Sequence, residues 1–312
     1  MTETGHKIAV IIPTIGRAAQ LRSLLESLAA QTRLPDQVII VGEDVGGVPS
    51  EFPTLRPRFV PMPKSSICEA RNAGVAATDR GIDLLAFIDD DIVLEPQAVE
   101  ATLHFWENGP HDLGGTGLNL VNYPERFAAE LKGSPLLSWL GLYNSRPGTV
   151  ARSGFHTPFG HVDETIEVKW LPSWAVVYRR RVFEEFCFDE WFQSYSYLED
   201  LDLSYRVGKK YRLAVVAGAR FCHYPVPSGR HDPYLFGKKE ITHRLHFVRK
   251  HRELATSVCV VALMGRILLS LALGIRTRDS RCLRQVQGNC AAMFALAAAG
   301  LRGWSKGTVS NP

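Results

Sequence analysis

The chain has 312 residues, 46% hydrophobic and 22% charged, with a net charge of +4. That is enough apolar side chain for one large or two modest cores, which excludes a disordered or fibrous chain. The charge is unevenly spread: Gly237 to Pro312 holds 13 Lys/Arg and 3 Asp/Glu, a net +10, and the residues before it hold 23 and 29, a net −6. An acidic body followed by a basic, apolar tail points to a globular domain attached to something anionic, with a membrane surface as the leading partner. The first six residues are polar, lack a basic n-region and run directly into a strand pattern, so no secretory signal and a cytoplasmic start are expected. Cys68, Cys187, Cys222, Cys259, Cys282 and Cys290 show no C-x-x-C pairing and read as reduced thiols, with neither disulfides nor a structural metal.

In chain order, Lys7 to Ile12 is a continuous apolar run stopped by Pro13, as in a fully buried parallel strand. Leu21, Leu24, Leu25 and Leu28 then recur at helical spacing, and Pro35-Asp36 turns the chain into a second buried run, Val38 to Val41. Such a strand-helix-strand unit is a right-handed crossover in a parallel sheet, and ligands bind beyond the carboxyl ends of its strands. Pro13 to Arg17 and Gly42-Glu43-Asp44 fall at those ends. After a Pro-rich stretch, Ser66 to Ala77 predicts a helix, and Leu84 to Ile88 a third buried strand.

Pro96 suits the first turn of a helix over Gln97 to Glu107. Thr116 to Val121 is a candidate strand, and residues 123 to 168 are irregular enough to read as a substrate-facing flap. A strand over Lys169 to Tyr178, a short helix over Arg180 to Glu185, helical leucines across Tyr197 to Val207 and a strand over Arg212 to Ala217 complete the body. The predicted division is an α/β domain over 1–236, with a nucleotide-binding half near 7–122 and an acceptor half near 123–236, and a helical tail over 237–312.

Asp89-Asp90-Asp91 follow the third strand directly. Adjacent carboxylates at about 4 Å repel by about 4 kcal/mol at an effective dielectric near 20. Such a cluster calls for a hard divalent cation whose remaining ligands come from phosphate oxygens. A solvated acidic loop is the alternative if the triplet is taken alone.

Ile12-Pro13-Thr14, Arg71-Asn72-Ala73-Gly74, Phe87 to Asp91 and Leu198 to Arg206, in that order and followed by His223, resemble the family 2 glycosyltransferases of the GT-A fold. The likeness spans roughly residues 7 to 225 and extends to bacterial cell-surface polysaccharide and rhamnosyltransferase-like enzymes. It implies a Rossmann-like, mostly parallel sheet and inverting transfer from a UDP-, dTDP- or GDP-sugar to a saccharide or polyprenyl-linked glycan, dependent on Mn2+ or Mg2+. A divalent ion would act there as a Lewis acid on the leaving diphosphate.

By the same resemblance Asp89, Asp91 and His223 form the metal site, with Asp91 the direct ligand and Asp89 nearer the ribose or a metal-bound water, and Asp200 is the base that takes the acceptor proton. Pro13, Thr14, Arg17, Glu43, Asp44, Arg71, Asn72, Asp89 and Asp90 face the donor. Trp174, Glu199 and Arg230 face the acceptor, with Trp170 and Trp191 as further aromatics. Gly42-Glu43-Asp44 departs from the family's usual pair of aspartates, which leaves the register of that contact open. A GT-A-like nucleotidyltransferase and a non-catalytic sugar-nucleotide or glycan-binding module are the competing functions, and nucleic-acid binding is not expected.

In the tail, Ala255 to Ile275 approaches bilayer-spanning length but carries Arg266 at its middle, and Cys290 to Leu301 is too short to span. Helices lying on the inner face of the cell membrane are therefore favoured over a spanning helix, with Lys238, Lys239 and Arg244 supplying attraction to anionic lipid. Packing on the domain, or a homodimer formed through the tail, is the alternative.

Overall fold

A computed structural model describes residues 5–123, 135–144, 146–193, 197–225 and 232–298. The chain forms two compact units: Met1–Ser134, Asn144–Val150 and His156–Pro227 make one, and Pro135–Tyr143, Ala151–Phe155 and Ser228–Pro312 the other. The division falls nine residues earlier than position 236, and two pieces of the irregular 123–168 stretch join the unit that contains the tail.

In the first unit the described strands make one nine-stranded sheet. The strands are β1 (Ile8–Ile15), β2 (Gln37–Glu43), β3 (Arg58–Pro61), β4 (Leu84–Ile88), β5 (Ile92–Leu94), β6 (Leu113–Leu120), β7 (Ile166–Val168), β8 (Ala175–Arg179) and β9 (Arg212–His223). Their order is β3-β2-β1-β4-β8-β6-β9-β5, with β7 also on β9. The first four run parallel, whereas β8 is antiparallel to both β4 and β6. Helices α1 (Ala18–Ala29), α2 (Ile67–Ala77) and α3 (Ala98–Asn108) follow β1, β3 and β5. Continuous apolar runs form β1, β2 and β4 because they are covered on both faces, and no residue from Ile8 to Ile12 is exposed.

Three consequences matter for the site. First, the parallel strands β1, β2 and β4 deliver Thr14, Glu43 and Asp89 to the same sheet edge. At that edge Gly42 has φ 145°, and a Cβ there would lie 1.8 Å from the Thr14 carbonyl oxygen, so only glycine permits this approach of β1 and β2. Second, Ser66 caps α2 and forms a capping box with Glu69, which fixes where the Arg71 turn begins. Third, the strand expected over Lys169 to Tyr178 begins only at Ala175, as β8, and residues 169–174 bend between it and β7. Pro172 lacks an N–H for a ladder, and the bend frees the carbonyls of Ser173 and Trp174 to bond elsewhere.

The second unit contains the short helix α4 (Pro135–Trp139) and the long helices α6 (Pro233–Lys250), α7 (Thr256–Thr277) and α8 (Ser280–Ala298), α5 (Glu199–Val207) belonging to the first unit. The backbones of α6 and α8 approach closely at Gly237 and Gly288, where a Cβ would meet the carbonyl oxygens of Gln285 and Tyr234 at 2.1 and 2.0 Å. Glu240 of α6 is buried and accepts from Asn289 (2.9 Å), Gln285 (3.0 Å) and Arg266 (3.4 Å). The charge in the middle of the most apolar helix is thus paired within the helical unit. Arg244 is a correction to the sequence reading: it is buried, donates to the Gly154 carbonyl at 2.6 Å and covers the Phe155 ring, so it is not a lipid-facing base.

Candidate active site

The three aspartates after β4 face different sets of partners, with Arg17 shared by Asp90 and Asp91. Asp90 is fully buried; it accepts from the Thr14 hydroxyl at 2.6 Å and from Arg17 Nε at 3.1 Å, with a second, very short contact to Arg17 Nη2. Burial pushes its carboxyl up to about 6, although Arg17 and Thr14 pull the other way. Asp90 therefore ties the end of β1 to the end of β4, and its expected place against the donor is corrected: it is the residue that holds Thr14 and Arg17.

Asp91 lies 3.0 Å from His223 Nε2 and 3.3 Å from Arg17 Nη1. Burial pushes this carboxyl up too, but the hydrogen bond and charge of His223, with help from Arg17, more than offset it and leave it below its ordinary value. The strand register produces the pairing, since His223 at the end of β9 sits opposite Ile92. Asn122, which the sequence did not single out, donates to the His223 carbonyl and accepts from its N–H, both at 2.9 Å. The Trp174 ring lies 5.7 Å from the imidazole.

Asp89 turns the other way. It accepts from Arg71 Nη2 at 3.0 Å, and Arg71 Nη1 reaches Glu199 at 3.1 Å, with the Ser173 carbonyl 3.3 Å from Nη2. Arg71 is only 2% exposed, and its guanidinium stands 5.3 Å from the Phe188 ring centroid. The expectation that Arg71 and Asn72 lie against the nucleotide or diphosphate is therefore corrected. Arg71 is a buried bridge between the two acidic motifs. Asn72 clamps the 188–190 loop through the Phe188 carbonyl (3.0 Å), the Phe188 N–H (3.0 Å) and Glu190 (2.9 Å). A helix that begins next to the sheet edge points both side chains inward, and buried carboxylates require a buried cation.

Glu199 and Asp200 open α5. Leu198, just before them, is buried in the left-handed region at φ 75°, which costs a non-glycine residue about 1 to 2 kcal/mol. Strain of this kind collects where a backbone must aim a side chain. Burial and the adjacent Asp200 charge push Glu199 up to about 7 against the pull of Arg71. Burial raises Asp200 as well, while hydrogen bonds from backbone groups, including the Leu201 N–H at 2.7 Å, draw it partly back. The two carboxyls titrate as a pair.

The remaining expected residues divide clearly. Thr14 and Arg17 stand at the edge, joined to the aspartates. Pro13 is internal to β1; Glu43, the last residue of β2, and Asp44 just after it are exposed, and Asp44 accepts from the Gly46 N–H at 2.9 Å. Trp170 is buried and donates to the Thr157 carbonyl at 3.2 Å, whereas Trp191 is exposed. With Trp174 and Phe159, Trp170 lines a crevice between β6 and residues 158–160. Arg230 lies outside the described residues.

Among the described residues, no three His, Cys, Asp or Glu side chains form a group able to hold a metal. What the chain offers is the pair Asp91 and His223. One anionic oxygen and one imidazole suit Mn2+ or Mg2+ when a diphosphate and water supply the other positions, so the donor set fits such an ion.

This arrangement, with acidic motifs after β4 and at the start of α5, can be set against known proteins. Residues 9–146 match the family model described as glycosyl transferase family 2. Over that stretch the chain is similar to the family 2 glycosyltransferases. It is 28% identical over 238 residues to the O-antigen biosynthesis protein RfbC of Myxococcus xanthus, a match that takes in 72% of this chain but only 18% of RfbC. It is 27% identical over 250 residues to the uncharacterized glycosyltransferase YwdF of Bacillus subtilis, covering 78% of this chain and 84% of that protein.

Among solved structures, a mannosyltransferase from Pyrobaculum calidifontis in complex with GDP-Man and Mn2+ superposes with a TM-score of 0.57 at 13% identity, over 94% of this chain and 88% of that one. S. aureus TarS in complex with UDP gives 0.53 at 16%, over 88% and 73%. These structural likenesses establish the GT-A type of fold for this chain.

Proposed function

We propose that the chain transfers a sugar, with inversion, from a nucleoside diphosphate sugar to a saccharide or lipid-linked saccharide in cell-surface glycan synthesis at the cytoplasmic face of the membrane. The observation that carries this reading is the Arg71 bridge, which ties the aspartates after β4 to the Glu199-Asp200 pair. Through it the group that would receive the leaving diphosphate and the group that would activate the acceptor belong to one connected site.

In this reading Asp200 takes the proton of the acceptor hydroxyl as it attacks the anomeric carbon from the side opposite the diphosphate. The like charge of Glu199 holds the titration of the pair up and so keeps Asp200 basic, and Arg71 holds Glu199 and Asp89 in place. Thr14 and Arg17, held by Asp90, shape the donor edge with Pro13, Glu43 and Asp44, and Trp174 forms a wall of the acceptor side. Asp91 and His223 would hold a divalent ion, which when bound stabilises the charge on the leaving diphosphate. The relatives and fold neighbours support this choice, since the named partners of the Pyrobaculum structure are GDP-Man and Mn2+ and that of TarS is UDP.

The test is to incubate the chain separately with UDP-, dTDP- and GDP-sugars plus Mn2+ or Mg2+ and to follow free nucleoside diphosphate. Metal-dependent release with one donor is the expected result. Pyrophosphate formed from a sugar phosphate and an NTP, without release from any nucleotide sugar, would replace this reading with nucleotidyl transfer.

A further inference from the structure

Pairing Arg266 with Glu240 gives α7 two unlike faces. Cys259, Ala262, Leu263, Arg266, Ser270 and Gly274 recur every three or four residues; Arg266 is tied to α6, and the other five are buried. Half a turn away, Val261, Met264, Leu268, Leu271 and Ile275 repeat with the same period and are 36 to 65% exposed. At 1.5 Å per residue the stripe is about 21 Å long. An unbroken apolar row of that length is more than the scattered exposed side chains that a soluble surface carries.

Two independent features lie with the stripe. Trp139, at the end of α4, is 81% exposed. The residue after it, Leu140, packs on α7 at Gly265, where a Cβ would lie 3.3 Å from Leu140 Cδ1. The exposed indole thus belongs to the residue that precedes this packing contact on α7. Exposed bases bracket the stripe as well, with Arg252 before the helix, Arg276 in its last turn and Arg278 and Arg281 after it.

We propose that the α7 stripe, together with Trp139, is the face by which this protein docks on an anionic lipid surface, dipping into one leaflet without crossing it. Apolar side chains would enter the acyl boundary, the indole would sit at headgroup depth, and the arginines would reach lipid phosphates. The buried polar knot argues against spanning. To cross, α7 would have to leave Glu240 without Arg266 or carry both charges into hydrocarbon, and either is costly. A second copy is disfavoured by charge. Both ends of the stripe are basic, so two stripes paired in either direction set like charges together. The proposal rests on the proposed lipid-linked acceptor only for its purpose, since such an acceptor would be met at a lipid surface.

The experiment uses the full chain in flotation with phosphatidylglycerol/phosphatidylcholine vesicles and with phosphatidylcholine alone. Expected are binding to the anionic vesicles, roughly tenfold weaker binding to the neutral ones, and release by alkaline carbonate. Met264→Glu with Leu268→Glu, both solvent-facing, should cut flotation at least tenfold while leaving the circular dichroism spectrum and nucleoside diphosphate release from soluble donor unchanged. No flotation of the unaltered chain, equal flotation of the double variant, or resistance to carbonate would overturn the proposal. So would light scattering that shows a dimer which the double variant dissolves. Flotation without donor turnover would uphold the docking face while sinking the transferase reading.

Discussion

The catalytic unit and the helical unit solve the same electrostatic problem with opposite signs. In the acidic unit a buried cation, Arg71, is shared by Asp89 and Glu199. In the basic unit a buried anion, Glu240, is shared by Arg266, Gln285 and Asn289. In each unit one buried charge of the minority sign is held by several partners. They differ in how far the partners are exposed. Glu199 is nearly as buried as Arg71, so neither can be satisfied by water, whereas the Arg266 side chain is 41% exposed and has solvent to fall back on. One knot is coupled to chemistry and the other to packing.

The sharpest test of that contrast lies at the group Arg71 serves. Asp200→Asn should reduce transfer by about 10²- to 10⁴-fold, the range for losing a general base, with donor affinity by calorimetry retained. Unchanged turnover would remove Asp200 from the base role. Arg71→Met should come next. It leaves buried carboxylates without their cation, a loss of about 3 to 5 kcal/mol visible as a lower thermal midpoint, and kcat should fall more than donor KM rises. Arg71→Lys should recover part of the stability but not the two-point bridge.

The pH profile separates the pair from the bridge. Because the Glu199-Asp200 pair is pushed upward, with Glu199 near 7, it gains a proton as the pH falls. Transfer should therefore decline below about pH 7, by up to tenfold per unit. Glu199→Gln removes the like charge beside Asp200 and should move that limb to lower pH. A limb that stays in place would mean that the two carboxyls do not titrate together.

Smaller effects are expected elsewhere. Glu240→Gln, in the helical unit, should lower stability by about 1 to 2 kcal/mol, well below the Arg71 variant, and leave donor turnover in solution intact. A loss equal to that of Arg71→Met would erase the distinction drawn from partner exposure. Asn122→Ala removes two hydrogen bonds from the His223 backbone. It should mainly raise the Mn2+ concentration needed for half-maximal activity, by a few fold.

Much of the frame is legible in the chain itself. The apolar runs that form β1, β2 and β4 are uninterrupted because both faces of those strands are covered, and a signal of that kind needs no knowledge of neighbours. The acidic motifs stand out because like charges side by side have no purpose in a core. The strand β9 was harder to read, since Gly218, Arg220 and His223 break the apolar run, yet the ladder continues to His223 through pairing with β5 and β6. Asn122 left no mark at all: an asparagine after a strand is common, and its value lies in meeting a residue 101 positions away.

Arg71 shows where the boundary between the two kinds of information falls. A helix start, a capping serine and an arginine near a phosphate-binding edge are local facts, and together they suggest a ligand contact. Whether the guanidinium faces outward or inward depends on Asp89 and on Glu199, the latter 128 residues further on, and on the broken strand that exposes the Ser173 carbonyl. The sequence by itself determined the α/β alternation, the acidic edge, the helix that opens on Glu199-Asp200 and the polarity of the tail, because propensity, periodicity and charge act over short stretches. Only the tertiary structure decided which acid meets which base, because desolvation is set by distant segments, and it is desolvation that turns an arginine into a bridge and a mid-helix charge into a buried pair.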